Sequence, residues 1–258
     1  MQATISVLMA CFNTENSVER SINSILNQSY EDFEFIIVDD ASTDHTPEIL
    51  QKIAIRDHRI KILTNSTNRG LSYSINRAFE RSVGTYLVRM DADDVAHSQR
   101  FARQLKYFNA NGELCVLGTG ANYVNQDEIG SDQTVLMPES HADIMKFMFK
   151  SSPFIHPTVM MRRSFFEITG GYDENLMRAQ DYDLWLRGRE IGHYHNVPEV
   201  LLNYTYDNAR SHKAVWQTFV LKIKAKPNLT EFARAVAYSL YELFCLIIRL
   251  TKDLLNRN

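Results

Sequence analysis

Apolar and polar positions come in alternating blocks along the first ninety residues. Thr4 to Phe12 is an apolar-rich run of strand length, broken by Asn13-Thr14-Glu15-Asn16. Val18, Ile22, Ile25 and Leu26 then recur at helical spacing. A second apolar run, Phe33 to Val38, ends in Asp39-Asp40. The polar loop Ala41-Ser42-Thr43-Asp44-His45 follows, leading to Thr46-Pro47-Glu48, a helix start with proline at its first position. Ile60 to Leu63 is a third short strand. Asn68-Arg69-Gly70 turns into a helix running to about Ser82, closed by Gly84. Tyr86 to Met90 is the fourth strand. Strictly alternating strands and helices predict a parallel sheet with crossover helices. Asn13, Asp39, Asp40, Asn65, Asp91 and Asp93 then share the carboxyl rim of that sheet, where ligands of α/β folds bind.

Beyond this point the rhythm changes. A helix is expected near Ser98–Asn111, a strand over Leu114–Val124, a polar turn over Gln126–Gln133 and a helix over His141–Lys150. Pro153, Pro157 and Gly170-Gly171 punctuate a loop-rich segment holding one apolar strand, Thr158–Met161. Asp181–Ile191 reads as a helix with Leu184, Trp185 and Leu186 inward, and Val200–Tyr206 as the last strand. From Glu231 onward Phe232, Val236, Leu240, Leu243, Ile247, Leu250 and Leu254 recur in steps of four or three. Ala237, Phe244, Ile248 and Leu255 widen that apolar face into an amphipathic helical tail. A composition shift near Ala209 divides a main domain, residues 1–208, from a tail, residues 209–258. Within the main domain, residues 1–95 form a nucleotide-binding half and 96–208 an acceptor half.

Composition sharpens this picture in three places. With 45% hydrophobic and 23% charged residues among 258, the chain can bury a substantial core and is not disordered. The net charge of −3 hides an asymmetry. Between Arg210 and Asn258, nine Lys/Arg face three acids, a surplus of six positive charges, so the remainder carries −9. A basic amphipathic tail on an acidic body suggests contact with an anionic surface, with Lys222, Lys224 and Lys226 flanking the helix. Cys11, Cys115 and Cys245 are odd in number, far apart and without a Cys-x-x-Cys pair. They suggest reduced thiols in a cytosolic setting rather than a zinc or disulfide frame. No stretch of about 18 uncharged apolar residues is present, so no spanning helix is expected, and no signal peptide is read.

The chemistry concentrates in Tyr86-Leu87-Val88-Arg89-Met90-Asp91-Ala92-Asp93-Asp94, an apolar strand ending in three carboxylates within four residues. Carboxylates so close repel one another, and a divalent cation with oxygen ligands relieves this. Asp91 and Asp93, two apart, point the same way if the chain stays extended. A solvated acidic turn is the plainer reading. Asp40 closes the second strand, where a carboxylate can accept the imide N–H of a uracil. Arg69 beside Gly70 can pair with a phosphate at a helix start. Asp181, in the first turn of its helix, is either a partner of the helix dipole or a general base, with Asp183 and Asp173 as fallbacks. His156, held between Pro153 and Pro157, is an acceptor or phosphate contact or a structural histidine.

As a set, Ser6-Val7-Leu8-Met9-Ala10-Cys11-Phe12-Asn13, Ile37-Val38-Asp39-Asp40-Ala41-Ser42-Thr43-Asp44 and Asp91-Ala92-Asp93-Asp94 resemble the family 2 glycosyltransferases of GT-A fold. Phe154-Ile155-His156-Pro157-Thr158, Gly170-Gly171-Tyr172-Asp173 and Gln180-Asp181-Tyr182-Asp183-Leu184-Trp185-Leu186-Arg187 complete the likeness over about residues 4 to 206. The resemblance implies a Rossmann-like, mostly parallel sheet flanked by helices. It further implies inverting transfer of a sugar from a nucleotide donor, usually UDP-linked, with Mn²⁺ or Mg²⁺. Carried over, Ala10, Phe12 and Asp40 line the nucleoside pocket, and Asn13, Asp39, Arg69, Asp91 and Ala92 lie against the nucleotide. Asp93, with Asp91 and Asp94, meets the metal, Asp181 is the base, and His156, Gln180 and Trp185 face the acceptor. Two positions depart from the family pattern. Ala10 stands where Thr or Ser is common, removing a hydroxyl. Gln180 stands where Glu is common, so the base loses a neighbouring charge and its pKa should be less elevated.

The expected activity is therefore transfer of a hexose or N-acetylhexosamine from a UDP-sugar to a hydroxyl of a polyprenyl-diphosphate-linked sugar. It would serve O-antigen, capsule or exopolysaccharide synthesis, in the cytoplasm at the inner face of a membrane touched by the tail. Nucleic acid is not an expected partner, and docking on the enzyme itself or on a second subunit, as a homodimer, is the other use of the tail. A polyprenyl-phosphate acceptor and a non-catalytic nucleotide-sugar-binding scaffold are the alternatives. A nucleotidyltransferase is disfavoured, because no glycine-rich loop follows the first strand.

Overall fold

The computed structural model describes residues 4–124, 133–205, 212–225 and 229–255, with side chains in the last two segments described for 217–225 and 230–245. The first four strands are β1 (Ile5–Cys11), β2 (Phe33–Asp39), β3 (Ile60–Thr64) and β4 (Tyr86–Arg89). Helices α1 (Val18–Leu26), α2 (Thr46–Ala54) and α3 (Leu71–Glu80) alternate with them. All four strands run parallel, in the order β3-β2-β1-β4. Their carboxyl ends therefore fall on one rim, as the block pattern predicts.

The second half extends the same sheet. β5 (Val95–Ala96) leads to α4 (Arg100–Ala110), β6 (Leu114–Val124), β7 (Gln133–Val135) and α5 (His141–Met148). A single 3₁₀ turn at His156–Thr158 precedes β8 (Met160–Arg162), α6 (Arg163–Thr169), α7 (Gln180–Gly188) and β9 (His193–Thr205). The sheet continues β4-β8-β6-β9-β5, with β7 on β6. β8 is antiparallel to both neighbours, while β6 and β9 are parallel over most of their length. The result is a GT-A-like α/β fold, with parallel pairs carrying most of the register.

Alternation along the strands sends side chains to two cores. Ile5, Val7, Met9, Val88 and Met90 join α1 and α4 on one face. Leu8, Ile36, Val38 and Leu87 meet α3, α6 and α7 on the other, around Trp185. The strand expected at Thr158–Met161 begins two residues later, because His156-Pro157-Thr158 closes as a 3₁₀ turn. β9 starts at His193 rather than Val200, since the edge-like pattern His193-Tyr194-His195 pairs with β6. The division at residue 95 falls inside β5, which pairs with β9. The expected turn over 126–133 and the boundary near Ala209 lie largely outside the described residues.

The tail forms two helices, α8 (His212–Lys224) and α9 (Leu229–Leu255). α8 docks through buried Leu221 and Lys222, whose Nζ donates to the Lys150 carbonyl at 3.0 Å. α9 docks through Ala235, which is fully buried, while Tyr238 receives the Lys222 ammonium 5.1 Å from its ring centre. Among the described residues no helix is long and apolar enough to cross a membrane.

Candidate functional site

Three loops on the carboxyl rim are stitched together across about thirty residues of sequence. Asn13 follows β1 with φ 53°, a conformation asparagine tolerates better than most residues. Its Oδ1 accepts from the Thr43 amide at 2.8 Å, and its own amide donates to Ser42 Oγ at 3.0 Å. Thr14 and Glu15 donate their amides to Thr46 and Asp44, and Glu15 Oε2 accepts from the His45 amide in return. Asp39 is buried and caps this second loop by accepting from the Ser42 amide at 3.1 Å. Ala10 is half-buried, and Phe12 stands out of the surface at 44% exposure beside these loops.

Asp40 ties the loop after β2 to the loop after β3. Oδ1 accepts from Asn65 Nδ2 at 2.6 Å and from the Arg69 amide at 2.8 Å, and Oδ2 from the Gly70 amide at 2.7 Å. A carboxylate has about four acceptor positions, so roughly one remains, on Oδ2. Gly70 sits at φ 84° ahead of α3, a conformation that disfavours a side chain and lets its amide turn to Asp40. The Arg69 guanidinium is exposed and lies 4.3 Å from the Tyr73 ring centre, at the mouth of this clamp.

The loop after β4 is pinned from two sides. Ser21 Oγ donates to the Asp91 carbonyl at 2.7 Å, and Arg20 Nη2 and Thr205 Oγ1 donate to the Asp93 carbonyl at 3.1 and 2.8 Å. Ala92 is buried beneath the loop. Asp91 is half-buried and receives the Arg89 guanidinium on Oδ1. Asp93 is half-buried too, its pKa raised by burial and then by the Asp91 charge. Asp94 differs from the expectation of a ligand open to an ion. It is fully buried, with Oδ1 accepting from the Thr205 amide at 2.8 Å and Oδ2 without a partner. Burial first and Asp91 second push its pKa far up, favouring the neutral acid.

Among the described residues no three His, Cys, Asp or Glu close around a common point. The arrangement fits a different kind of metal site. Mg²⁺ and Mn²⁺ brought in with a diphosphate need only one or two carboxylates, the phosphates supplying the other ligands. Asp93, its pKa raised by burial and by the Asp91 charge and without an ion-pair partner among the described residues, has the character such a site needs, with Asp91 beside it.

The remaining candidate residues lie at the start of α7. Ala179 precedes it at φ 55°, a left-handed alanine costing on the order of 1–2 kcal/mol. Asp181 Oδ2 accepts from Ser152 Oγ at 3.3 Å. Burial raises the Asp181 pKa, hydrogen bonds from Ser152 and the local backbone oppose this, and the Asp91 charge adds to the rise. The Asp91 charge thus reaches Asp181. His156 shares a 2.7 Å hydrogen bond with the Tyr172 hydroxyl, and burial together with Arg89 holds its pKa well down, so the ring is neutral at pH 7. Gln180 Oε1 is buried without a partner at this position.

Trp185 is placed otherwise than expected for an acceptor contact. It is fully buried among Phe154, Phe165 and His156, so it reaches an acceptor only by backing His156. The fallback bases lie elsewhere too. Asp183 pairs with Arg187 at 2.7 Å, and both Asp183 and Asp173 line an outer groove with Arg187, Arg189 and Lys224. A separate groove of about 720 Å³ is lined by Phe33, Asp57, Arg59 and Lys61 at the opposite, amino end of the sheet.

Arg89 and Arg100 escape sequence reasoning. A charged residue in a strand or helix reads as a solvated edge, yet both are buried beneath the acidic loop. Arg89 Nη1 reaches the Met90 carbonyl and Nη2 reaches Asp91, while Arg100 Nη2 donates to the Arg89 carbonyl at 3.0 Å. Two buried cations under three carboxylates lessen the repulsion that the loop would otherwise suffer. The signal was their position, two residues before and six residues after the acidic cluster.

Residues 6–169 match the family model described as Glycosyl transferase family 2. The O-antigen biosynthesis glycosyltransferase WbnJ of Escherichia coli is 34% identical over 216 residues, covering 81% of this chain and 82% of that protein. Staphylococcus aureus TarS 1–349 in complex with UDP superposes with a TM-score of 0.70 at 18% identity, covering 92% of this chain and 70% of the other. The mannosyltransferase PcManGT from Pyrobaculum calidifontis, in complex with GDP-Man and Mn²⁺, gives 0.67 at 17% identity, covering 100% and 81%.

Proposed function

The chain belongs to glycosyl transferase family 2, and from that premise we propose an inverting, metal-dependent transfer of a hexose or N-acetylhexosamine from a UDP-sugar. The acceptor is a hydroxyl of a prenyl-diphosphate-linked saccharide, in assembly of an O-antigen, capsule or exopolysaccharide. The E. coli relative's part in O-antigen biosynthesis supports that class of pathway, and the UDP complex of TarS supports the donor. Residues 1–95 hold the nucleotide, 96–208 the acceptor, and 209–258 meet the inner face of a membrane from the cytoplasm.

The observation that carries this reading is Asp181, a carboxyl raised by burial and within electrostatic reach of Asp91. Asp181 takes the proton from the acceptor hydroxyl as its oxygen bonds to the anomeric carbon. The bond from that carbon to the diphosphate oxygen breaks, and UDP leaves with the electron pair. Asp40 offers its remaining lone pair to the uracil imide, and Asn13, Asp39 and the 42–46 loop shape the nucleoside pocket. Arg69 faces the diphosphate. Asp93, with Asp91, would hold Mn²⁺ or Mg²⁺, which when bound supplies positive charge to the departing diphosphate. Neutral His156 and Gln180 orient the acceptor.

A screen of UDP release over several UDP-sugars, with Mn²⁺ and synthetic diphosphate-lipid acceptors, tests the proposal. Release that needs both acceptor and metal is the expected result. UDP binding without release from any donor would instead favour a nucleotide-sugar-binding scaffold.

A further inference from the structure

Of the lysines expected to meet an anionic surface, one is buried and one lines a groove with two acids. Lys222 is buried against Lys150 and Tyr238, Lys224 faces Asp173 and Asp183 in the outer groove, and Lys226 lies outside the described residues. A different set of cations is free. Between α5 and α9 runs a groove of about 510 Å³ lined by Lys146, Phe147, Lys150, Arg234, Ala237, Tyr238 and Tyr241. Its walls are mostly apolar, three of its residues are cations, and none is an acid. Lys146 shares Asp143 at 3.3 Å, but Lys150 and Arg234 have no acidic partner among the described residues. The Lys150 ammonium sits 5.6 and 5.5 Å from the Phe147 and Tyr238 ring centres.

The groove is one margin of a wider surface. At about 100° per residue, Leu240, Phe244, Ala237 and Tyr241 follow one another around α9 in a single arc ending at the groove. Leu240, Tyr241 and Phe244 are each about 60% exposed, and Leu243 nearly half. Exposed aliphatic and aromatic side chains beside unpaired cations match the interface of a bilayer, with apolar groups in the acyl boundary and cations at the phosphates.

We propose that the α5–α9 groove seats the phosphate headgroups of an anionic bilayer, with Lys150 and Arg234 as its cations and Leu240 and Phe244 inserted beside them. This rests on the membrane part of the function proposed above and replaces the Lys222–Lys226 run as the basic contact. The site also bears on the chemistry. Lys150 lies two residues before Ser152, which donates to Asp181, so at most about 7 Å of chain separates the groove's edge from the base's partner. An acceptor anchored in the same bilayer would present its sugar close to α7.

The test is partition of the full chain onto phosphatidylglycerol-containing and pure phosphatidylcholine vesicles. Anionic vesicles should bind, and neutral ones much less. Each cation near such a surface is worth roughly fivefold, so the double variant Lys150→Gln/Arg234→Gln should bind about 25-fold more weakly. Leu240→Ser and Phe244→Ser should each cost on the order of tenfold or more. UDP affinity should be unchanged in all of them, showing that the fold is intact. Equal partition onto both vesicle types would overturn the proposal. So would absence of partition together with a dimer in sedimentation that Phe244→Ser dissolves. Vesicle binding without UDP release would sink the transferase reading and leave this one standing.

Discussion

The two sides of the proposed site are built differently. On the proposed nucleotide side, the loops after β1, β2 and β3 are cross-linked by short hydrogen bonds, and Asp40 takes three donors. On the proposed acceptor side, Asp181 has one side-chain donor, Ser152, at 3.3 Å, and Gln180 Oε1 is buried unpaired. A buried polar atom without a partner costs about 1–3 kcal/mol, which a bound hydroxyl could recover. The lesson is one of preorganisation. The loops proposed to hold the donor are already cross-linked, while the proposed acceptor side keeps polar groups in reserve.

Breaking the comparison where it is sharpest should have the largest effect. Asp93→Ala removes the carboxylate proposed to meet the metal, and turnover should fall on the order of 10³-fold. Mn²⁺ titration of the UDP complex should weaken in parallel, and unchanged metal affinity would remove Asp93 from that role. Asp40→Ala unties Asn65, Arg69 and Gly70 at once, leaving their donors buried. Stability should drop by about 1–3 kcal/mol and UDP should bind at least tenfold more weakly, read by thermal melting and calorimetry.

Smaller changes sharpen the acceptor side. The Ser152 hydroxyl favours ionised Asp181, so Ser152→Ala should raise its pKa further. Because the base must be deprotonated, the acidic limb of kcat should move to higher pH, with little change at pH 8. Gln180→Glu should move that limb the same way, by adding a negative charge beside the base. A limb moving to lower pH in either variant would contradict Asp181 as the titrating group. Ala179→Gly relieves a left-handed alanine and should stabilise the fold by about 1 kcal/mol, read as a rise in Tm.

What could be read in advance follows the same divide. β1 to β4 were legible because each is an apolar-rich run closed by Asn or Asp, and parallel crossovers leave those closures on one rim. α6 was not, because Arg163–Thr169 is only seven residues and its buried Phe165 and Phe166 are adjacent rather than periodic. β5, two residues long, has no pattern to detect. α8 lay in the basic stretch read only as the flank of the tail helix, and its docking turns on Lys222, a residue type that is seldom buried. Within the site, Asp181, Asp91, Asp93 and Asp40 carried recognisable motifs. Arg89, Arg100 and the burial of Asp94 did not, since burial of a charge depends on partners brought in by tertiary structure.

The central claim is that Asp181 serves the chemistry and not the nucleotide. Asp181→Asn, compared with the unaltered chain in acceptor-dependent UDP release and in UDP calorimetry, tests it directly. Release should fall about 10²–10⁴-fold while UDP affinity stays within twofold. Release at the original rate would contradict the account and point to an acceptor, such as a phosphate, that needs no proton removed.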